Sequence, residues 1–359
     1  MDKKIILFCN ILSISNKVTL TLLEKFNSYR EFLANIPDLS TIINLDKRTL
    51  NKIIQNRNLD LKTYMEKLKT LGIEIVFFGD EGYPYNLNFI DDPPLMLYYK
   101  GTLNKEDSLG LSIVGSRKCT SYGAWACKKL TYELSKNKIP IISGLAYGID
   151  RIAHEVSLEN NNRTIAVIGN GLDIVYPNKH KELYRKIIQN GVIFSEYALG
   201  VEPLHYNFPY RNRIISGIGQ GVIVIEAQKK SGTLITANYA AEQGKEVFAL
   251  PGNINSFYSV GTNSLIRDGA KIITDIEDIL EEIHCPIKED REAVQITLKD
   301  PIEKNIIDFL ISSPCTCDII SNQLGLPIDE VNANLTKLEM KGYVIEEIGG
   351  VFYPIIKKG

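Results

Sequence analysis

The stretch LSIVGSRKCTSYG (111–123) decides the fold class, because an apolar strand pattern stops at a glycine and a helical pattern follows. Three later segments repeat this order: IISGLAYGID (141–150), TIAVIGNGLDIVYP (164–177) and VIVIEAQKKSGTLITAN (222–238). Units of strand, glycine turn and helix present free backbone N–H groups and the positive end of a helix dipole at one edge of a sheet. Such an edge suits phosphate, so the sequence predicts a phosphate-rich ligand.

The alternation of apolar strands with helical patterns continues from residue 109 to residue 283. Strands this apolar, separated by helices, are typical of a parallel sheet covered on both faces, so we predict an α/β fold with a doubly wound parallel sheet. Ligands of such folds bind outside the carboxyl ends of the strands, where the four glycine turns lie. The predicted strands lie near 111–114, 139–142, 164–168, 191–195, 222–226, 246–250 and 271–273, and the predicted helices near 121–136, 148–159, 179–190, 210–217, 233–243 and 275–283.

The segments outside this core have other patterns. Residues 1–75 carry apolar positions at helical spacing and predict a small all-α domain. Residues 76–108 are rich in Pro, Gly and Asp and predict an irregular connector with one short strand, LMLYYK. Residues 284–300 are polar and predict a linker, and residues 301–359 give a helix, helix, helix, hairpin order that predicts a winged-helix domain.

The composition is that of an ordinary globular protein, with 44% hydrophobic and 23% charged residues. The formal net charge is −2, so any positive field that attracts a polyanion has to be local. The 6 cysteines lack the spacing of a disulfide framework or a zinc site, which indicates reduced thiols, a cytoplasmic protein and no bound metal. The N-terminal apolar stretch is too short and too polar for a membrane span, and no cleavage site follows it, so we expect no membrane association.

The glycine turns and one arginine-rich helix start supply the candidate site. Each turn combines glycines, which let the backbone approach a ligand, with hydroxyl or cationic side chains that bind phosphate. Two arginines that flank an amide can clamp a phosphate or read a base edge, and the aromatic residues just before them suit stacking on unpaired bases. The predicted DNA- or phosphate-binding residues are Gly115, Ser116, Arg117, Ser143, Gly144, Gly148, Gly169, Gly171, Arg211, Asn212, Arg213, Lys229, Lys230, Ser231, Gly232 and Thr233.

Each part of this site has a purely structural alternative. The Gly115 turn can be a plain strand-to-helix connection, the rings of Tyr206, Phe208 and Tyr210 can belong to the core, and a lone His154 is more often packed than catalytic. The chain lacks the G-x-x-x-x-G-K-[ST] motif, a complete dinucleotide fingerprint and Ser-His-Asp or metal-ligand spacing. We therefore predict no cofactor and no catalytic residue.

Five motifs, in this order, resemble the DprA/Smf DNA-processing family: SIVGSR (112–117), SGLAYGID (143–150), YPNKHKELY (176–184), FPYRNRIISG (208–217) and SGTLITANYAAEQGKEVFALPG (231–252). The segment DPPLMLYYKG (92–101) is also similar to that family. The resemblance covers nearly the whole chain and implies an extended Rossmann fold, a SAM-like or helix-hairpin N-terminal domain and a C-terminal winged helix.

The resemblance implies a non-enzymatic role. Members of the family bind single-stranded DNA that enters during natural transformation, protect it and load the RecA recombinase onto it. Their Rossmann-like core dimerises and presents a positively charged channel. On the matching motifs, the resemblance implies that Arg117, Arg211 and Arg213 contact DNA and that Lys181 occupies a basic position of the DNA pocket, whereas Lys229 and Lys230 are predicted from charge alone.

A nucleotide enzyme is the alternative. The Gly232-Thr233 helix start and the preceding arginine also resemble the lysine-decarboxylase-like nucleoside-monophosphate phosphoribohydrolases, which carry P-G-G-x-G-T-x-x-E. Their glutamate acts on the ribose, but Thr236 stands at its position here and the P-G-G segment is missing. The absent carboxylate argues against hydrolysis.

The predicted winged helix departs from a duplex-reading domain in its charge. Residues 298–359 carry more carboxylates than lysines, and the predicted recognition helix begins at Pro327 with two of those carboxylates in its first turn. Carboxylates there repel phosphate, so we expect this domain to serve protein contact or packing. The carboxylates are Asp300, Glu303, Asp308, Asp318, Asp329, Glu330, Glu339, Glu346 and Glu347, against Lys299, Lys304, Lys337, Lys341, Lys357 and Lys358.

Overall fold

The computed structural model describes residues 1–283, 300–312, 315–341, 343–347 and 351–354. The chain forms two compact units, Met1–Pro286 and Ile287–Gly359, and each is described by itself. The predicted linker, 284–300, lies outside the described residues except for its last residue. Within the described residues, no helix has the length and the apolar character that a bilayer crossing needs.

The first unit begins with short helices, and N-capping residues in the sequence mark where most of them start. An Asp or Ser stands before most of them, and its side chain accepts hydrogen bonds from backbone N–H groups of the first turn, as Asp2 does for Lys4 and Ile5. Phe8, Leu22, Phe32 and Ile53 are fully buried and form the centre of this helical core. The helices are α1 (Lys3–Ile11), α2 (Asn16–Lys25), α3 (Tyr29–Ala34), α4 (Leu39–Ile42), α5 (Lys47–Gln55) and α6 (Leu61–Thr70).

A 9-stranded sheet forms the centre of the same unit. Its strands are β1 (Glu74–Phe77), β2 (Met96–Gly101), β3 (Leu111–Val114), β4 (Ile141–Ser143), β5 (Thr164–Ile168), β6 (Gly191–Ser195), β7 (Gly221–Val224), β8 (Glu246–Ala249) and β9 (Lys271–Ile272). The strand order is β1-β2-β6-β5-β4-β3-β7-β8-β9. All neighbours from β6 to β9 pair in parallel, whereas β1 and β2 add an antiparallel edge.

Helices cover both faces of the parallel sheet, which confirms the predicted doubly wound α/β fold. Successive residues of β3 point to opposite faces, so Ile113 packs in one apolar cluster with α7 and α8, and Val114 packs in another with α10 and α11. The helices are α7 (Ser121–Lys136), α8 (Ile149–Glu159), α9 (Lys181–Asn190), α10 (Asn207–Ile218), α11 (Gly232–Glu242), α12 (Val260–Arg267) and α13 (Glu277–Leu280).

The segment predicted as a connector, 76–108, takes part in the sheet. It supplies the second half of β1 and all of β2, and the predicted boundary at residue 75 falls inside β1. Strand β2 pairs with β6, with Tyr98 opposite Ser195. The predicted short strand LMLYYK corresponds to β2, whereas the edge strand β1 was not predicted.

The second unit has the predicted winged-helix order. Helices α14 (Pro301–Ser312), α15 (Cys317–Leu324) and α16 (Ile328–Met340) pack around Ile306, Leu310, Ile320 and Leu335. The strands β10 (Cys315–Thr316), β11 (Val344–Glu347) and β12 (Val351–Pro354) form a small antiparallel sheet in the order β10-β12-β11. Gly325, at φ +66°, ends α15 in the left-handed conformation that favours glycine.

Candidate functional site

A cavity of about 490 Å³ opens at the carboxyl ends of β3 and β7. Strand β3 has β4 on one side and β7 on the other, so the strand order reverses here. Ligands of doubly wound sheets bind at such a switch point. We call this space the switch-point cavity, and the predicted residues that line it are Gly115, Ser116, Arg117, Arg211, Asn212, Lys230, Ser231, Gly232 and Thr233.

The loop after β3 is fixed by its own backbone and by α8. The Ser116 hydroxyl accepts a hydrogen bond from the Lys118 N–H at 3.2 Å and donates to the Lys118 carbonyl at 2.9 Å. Gly148 has φ +75°, and a Cβ there would stand 2.2 Å from the Ser116 carbonyl oxygen. Gly148 therefore allows α8 to approach the loop closely, and this close approach explains the glycine without a ligand.

The loop between β7 and α11 forms the opposite wall of the switch-point cavity. Ser231 is the N-cap of α11, and its hydroxyl oxygen accepts from the Thr233 N–H at 3.2 Å. The Asn212 amide donates to the Gly232 carbonyl at 3.3 Å and so ties α10 to this helix start. The N-terminal end of α11 thus faces the cavity with its positive dipole end.

Three cations surround this cavity without a carboxylate partner. Arg117 and Lys118 are exposed on one wall and Lys230 on the other. In the described part of the chain, none of the three forms an ion pair. The Arg117 guanidinium lies 5.4 Å from the centre of the Phe208 ring. Because the chain as a whole is nearly neutral, a polyanionic ligand needs local positive charge, and these three cations supply it at this edge of the sheet.

Arg211 lies inside the protein at the back of the switch-point cavity. Its side chain is 4% exposed, and its Nη1 donates to the carbonyl of Gly144 at 2.9 Å and to that of Val167. Burial lowers the pKa of Arg211 to about 10 despite the neighbouring Asp150. Burial also raises the pKa of Asp150, and the Arg211 guanidinium partly offsets that rise. Arg211 thus binds the ends of β4 and β5 together, and its buried Nε has no hydrogen-bond partner among the described residues.

A second, small cavity of about 20 Å³ adjoins the first and shares Arg117, Phe208 and Arg211 with it. Gly144 and Gly169, both predicted, line this small cavity. The rings of Tyr147 and Tyr176 also line it and are 41% and 39% exposed. Two accessible rings beside a cationic cavity can stack on unpaired bases.

Arg213 is not brought to either cavity. It is 3% exposed, and its Nη2 donates to Glu196 Oε1 at 2.8 Å, while its Nε donates to the Asp92 carbonyl at 3.0 Å. Residues two apart on a helix project about 200° from one another, so Arg211 and Arg213 cannot clamp one ligand together. The prediction that both arginines grip the same phosphate is corrected on this point.

Other predicted residues also lie away from the cavities. Ser143 is fully buried and donates its hydroxyl to the Ile113 carbonyl at 2.6 Å, so its side chain joins β4 to β3. Gly171 is buried against the Ala198 carbonyl oxygen, which a Cβ would meet at 2.6 Å. Lys181 begins α9 at the surface, and Lys229 is exposed between two lining residues without lining the cavity itself.

Several lining residues were missed. Lys118 directly follows the predicted GSR turn, and Thr236 stands one helical turn after Thr233 on the same face of α11, so both positions had a signal in the sequence. His205 and Gln228 line the cavity from loops whose geometry depends on tertiary contacts, and Phe208, one of the rings considered for stacking, lines it from the start of α10.

The carboxylates and the histidine at or near the cavities are buried against other groups of the protein. Asp150 is the carboxylate of the switch-point cavity, and it faces Arg211. Glu226 is buried nearby but accepts from the Thr120 N–H at 3.0 Å at the start of α7. His154 is fully buried with Nδ1 2.7 Å from Thr164 Oγ1, and burial lowers its pKa to about 3. Across the described residues, no group of three His, Cys, Asp or Glu could hold a metal ion.

Comparison with known proteins gives consistent matches over both units. Residues 74–284 match the family model described as DNA recombination-mediator protein A, and residues 291–350 match the DprA winged helix domain. The DNA processing protein DprA of Streptococcus pneumoniae is 46% identical over 203 residues, which cover 56% of this chain and 72% of that protein. The protein Smf of Escherichia coli is 38% identical over 278 residues, covering 75% and 74%.

Two solved structures extend the similarity to three dimensions. The crystal structure of the Streptococcus pneumoniae DprA has a TM-score of 0.68 at 36% identity and covers 79% of this chain and 99% of that one. A Helicobacter pylori DprA structure, described for its single-stranded DNA binding mode, has a TM-score of 0.53 at 33% identity and covers 59% and 96%. The matched domains, their order and the shared fold agree, and the chain belongs to the DprA/Smf family.

Proposed function

We propose that this protein binds single-stranded DNA at the carboxyl edge of its parallel sheet, protects incoming DNA during natural transformation and loads the RecA recombinase onto it. The relatives are named as DNA processing proteins, and the Helicobacter pylori relative is described for single-stranded DNA binding. The observation that carries the proposal is the switch-point cavity, where Arg117, Lys118 and Lys230 have no carboxylate partner among the described residues.

Single strands suit this edge better than duplex. The free cations and the α11 start supply the attraction for phosphates, and the exposed rings of Tyr147 and Tyr176 supply stacking surfaces. Bases of a duplex are already stacked on one another, so the rings add binding energy only for an unpaired strand. Stacking on an aromatic ring contributes about 1–3 kcal/mol per base.

We propose that binding occurs without turnover. The phosphoribohydrolase alternative needs a carboxylate where Thr236 stands, and Thr236 is 2% exposed on the cavity wall. Asp150 cannot replace that carboxylate easily, because Arg211 and the Ala146 N–H, at 3.4 Å, already face it. Release of free base from AMP by pure protein, lost on Thr233→Val substitution, would favour the enzyme instead.

We further propose that the protein acts in the cytoplasm as a homodimer formed through its Rossmann-like core. Exposed apolar side chains on that core support a second copy as the partner. Trp125 on α7 is 57% exposed, and Ile254 and Phe257 in the loop before α12 are 96% and 64% exposed. Tyr122 connects α7 with the loop before α12, because its hydroxyl donates a hydrogen bond to the Pro251 carbonyl at 3.2 Å.

The winged helix is proposed to contact protein, not duplex DNA. Asp329 and Glu330 stand in the first turn of α16, the helix in the recognition position. Among the described residues, Lys341 forms an ion pair with the buried Glu303 at 2.7 Å. Its charge is neutralised there and does not attract phosphate. The carboxylates at the α16 start would repel a phosphate backbone.

Titration of a labelled oligothymidine tests the proposed function. We expect tight binding to the single strand, weaker binding to duplex of the same length, and log K that falls by about 0.7 per neutralised phosphate as log salt rises. Arg117→Ala with Lys230→Ala should weaken binding and flatten the salt dependence, and Lys229→Ala, at an exposed lysine that does not line the cavity, is the matched control. An equal loss of affinity in the double variant and in Lys229→Ala would refute the proposal, and so would the absence of binding to single strands.

A further inference from the structure

Helix α10 carries Arg211, Asn212 and Arg213 in succession, and each side chain leaves the helix on a different side because residues advance by about 100°. Arg211 holds the Gly144 carbonyl, and Asn212 holds the Gly232 carbonyl at 3.3 Å. Both contacts belong to the walls of the cavities. The position of α10 therefore sets the shape of the site.

Arg213 fixes α10 from the side opposite to Arg211. Its guanidinium joins Glu196 and Asp92 and lies 4.0 Å from the centre of the Tyr210 ring. The Tyr210 hydroxyl in turn donates to Asp92 Oδ2 at 2.7 Å. The result is a closed network of buried and half-buried charges at the end of β6.

The N-terminal helices share the same carboxylates. Asn16, the first residue of α2, donates its amide to Asp92 Oδ1 at 3.2 Å and to Glu196 Oε1 at 3.3 Å. Asn10 of α1 donates its amide to the Glu196 carbonyl at 2.8 Å. The contacts of Arg213 therefore run from the site helix, through two acidic residues, into the helical domain.

We propose that Arg213 is a positioning residue, which couples the N-terminal helices to the DNA site by holding α10 and does not itself contact DNA. This inference rests on the proposed single-strand binding. Lysine cannot replace Arg213, because the network uses Nη2 toward Glu196 and Nε toward Asp92 in one fixed fork. Without the fork, Glu196 loses its cationic partner and keeps only the Asn16 amide, so we expect α10 to shift.

The salt dependence of binding separates a positioning residue from a phosphate contact. We expect Arg213→Lys, Arg213→Ala and Asn16→Ala each to lower the affinity of folded protein for oligothymidine, by about tenfold for the arginine variants, a size typical of coupling within one network. The slope of log K against log salt should stay that of the unchanged protein. Arg117→Ala is the comparison, and its slope should fall by about 0.7.

Hydrogen exchange provides a readout that needs no DNA. In Asn16→Ala, the amides of residues 207–218 should exchange faster, although the substitution lies on α2 and leaves α10 itself intact. An Arg213 variant whose salt slope falls like that of Arg117→Ala would show a direct phosphate contact and overturn the proposal. Unchanged exchange in α10 of Asn16→Ala would overturn the coupling, even if the unchanged protein proves not to bind single strands at all.

Discussion

At the scale of single residues, the site depends on the buried Arg211 guanidinium and on the Asp150 carboxylate, whose charges influence one another. Arg211 stands between Asp150 and the carbonyls at the ends of β4 and β5, and its burial explains why it cannot reach a polymer at the surface. We propose that its part in binding is to shape the cavity walls. The exposed cations Arg117, Lys118 and Lys230 are the groups that meet phosphate in this account.

Removal of Arg211 is expected to destabilise the protein in a pH-dependent way. Arg211→Ala should lower the free energy of unfolding at neutral pH by about 3 kcal/mol, because it removes the positive charge that offsets the burial of Asp150. Burial already raises the pKa of Asp150 above its unfolded value, and loss of Arg211 raises it further. Protonation of Asp150 removes the buried charge and so stabilises the folded state. The variant is therefore stable at acid pH and loses stability as pH rises through the raised pKa of Asp150.

Urea unfolding at neutral pH and near pH 4, roughly the unperturbed pKa of aspartate, measures this effect. Asp150→Asn in the Arg211→Ala background is the matched control and should remove most of the extra pH dependence. If Arg211→Ala lowers the free energy of unfolding equally at both pH values, the Asp150 charge is not the cause of the loss. The same follows if the double variant is no more stable than Arg211→Ala at neutral pH.

At the scale of elements, the loop after β3 is held in place by the start of α8. Gly148→Ala should cost more than about 2 kcal/mol, since a Cβ meets the Ser116 carbonyl and the backbone conformation is one that only glycine adopts readily. Gly244→Ala is the control, because Gly244 has φ +65° and no atom within 4 Å of a Cβ, and it should cost about 1 kcal/mol. Thermal melts compare the two, and similar losses would show that the loop tolerates displacement.

The elements of the core could be predicted because their patterns are local. Helix α7 has the predicted bounds, 121–136, since Thr120 caps it and its apolar positions recur at helical spacing. The LMLYYK strand was predicted, but its place in the sheet was not, because that place depends on pairing with β6, about 100 residues away in the chain. Four glycine turns were expected at one edge, and the sheet order brings the first and the last of them to a single cavity.

The roles of Arg211 and Arg213 could not be separated from the sequence. Their helix begins at Asn207, three residues before the predicted start, and the two side chains find partners that lie far away along the chain. Asp92 and Glu196 attract Arg213 only once β2 and β6 are adjacent. A motif shows which residue types are present, whereas the direction of each side chain depends on tertiary contacts.

At the scale of the whole molecule, the apolar patch on the core predicts concentration-dependent assembly. Phe257→Glu should convert a dimer to a monomer in light scattering, because a carboxylate would be desolvated in the interface. Trp125 is the only tryptophan and lies in the same patch, so its fluorescence should shift to longer wavelength on dilution of the unchanged protein. A monomeric unchanged protein at all concentrations would rule out this dimer.

The two-unit organisation predicts that DNA binding belongs to the first unit. A chain that ends at Pro286 retains the compact first unit with both cavities, and it should keep most of the affinity for oligothymidine. The acidic winged helix contributes no phosphate contact in this account. Loss of most of the affinity on truncation would assign DNA contacts to the winged helix instead.

The most direct test of the central claim is a crystal structure of the protein with a short oligothymidine. We predict phosphates within hydrogen-bond distance of Arg117, Lys118 or Lys230, at least one base against Tyr147 or Tyr176, and Arg213 still paired with Glu196. An oligonucleotide bound on another face, with the switch-point cavity free of it, would contradict the account.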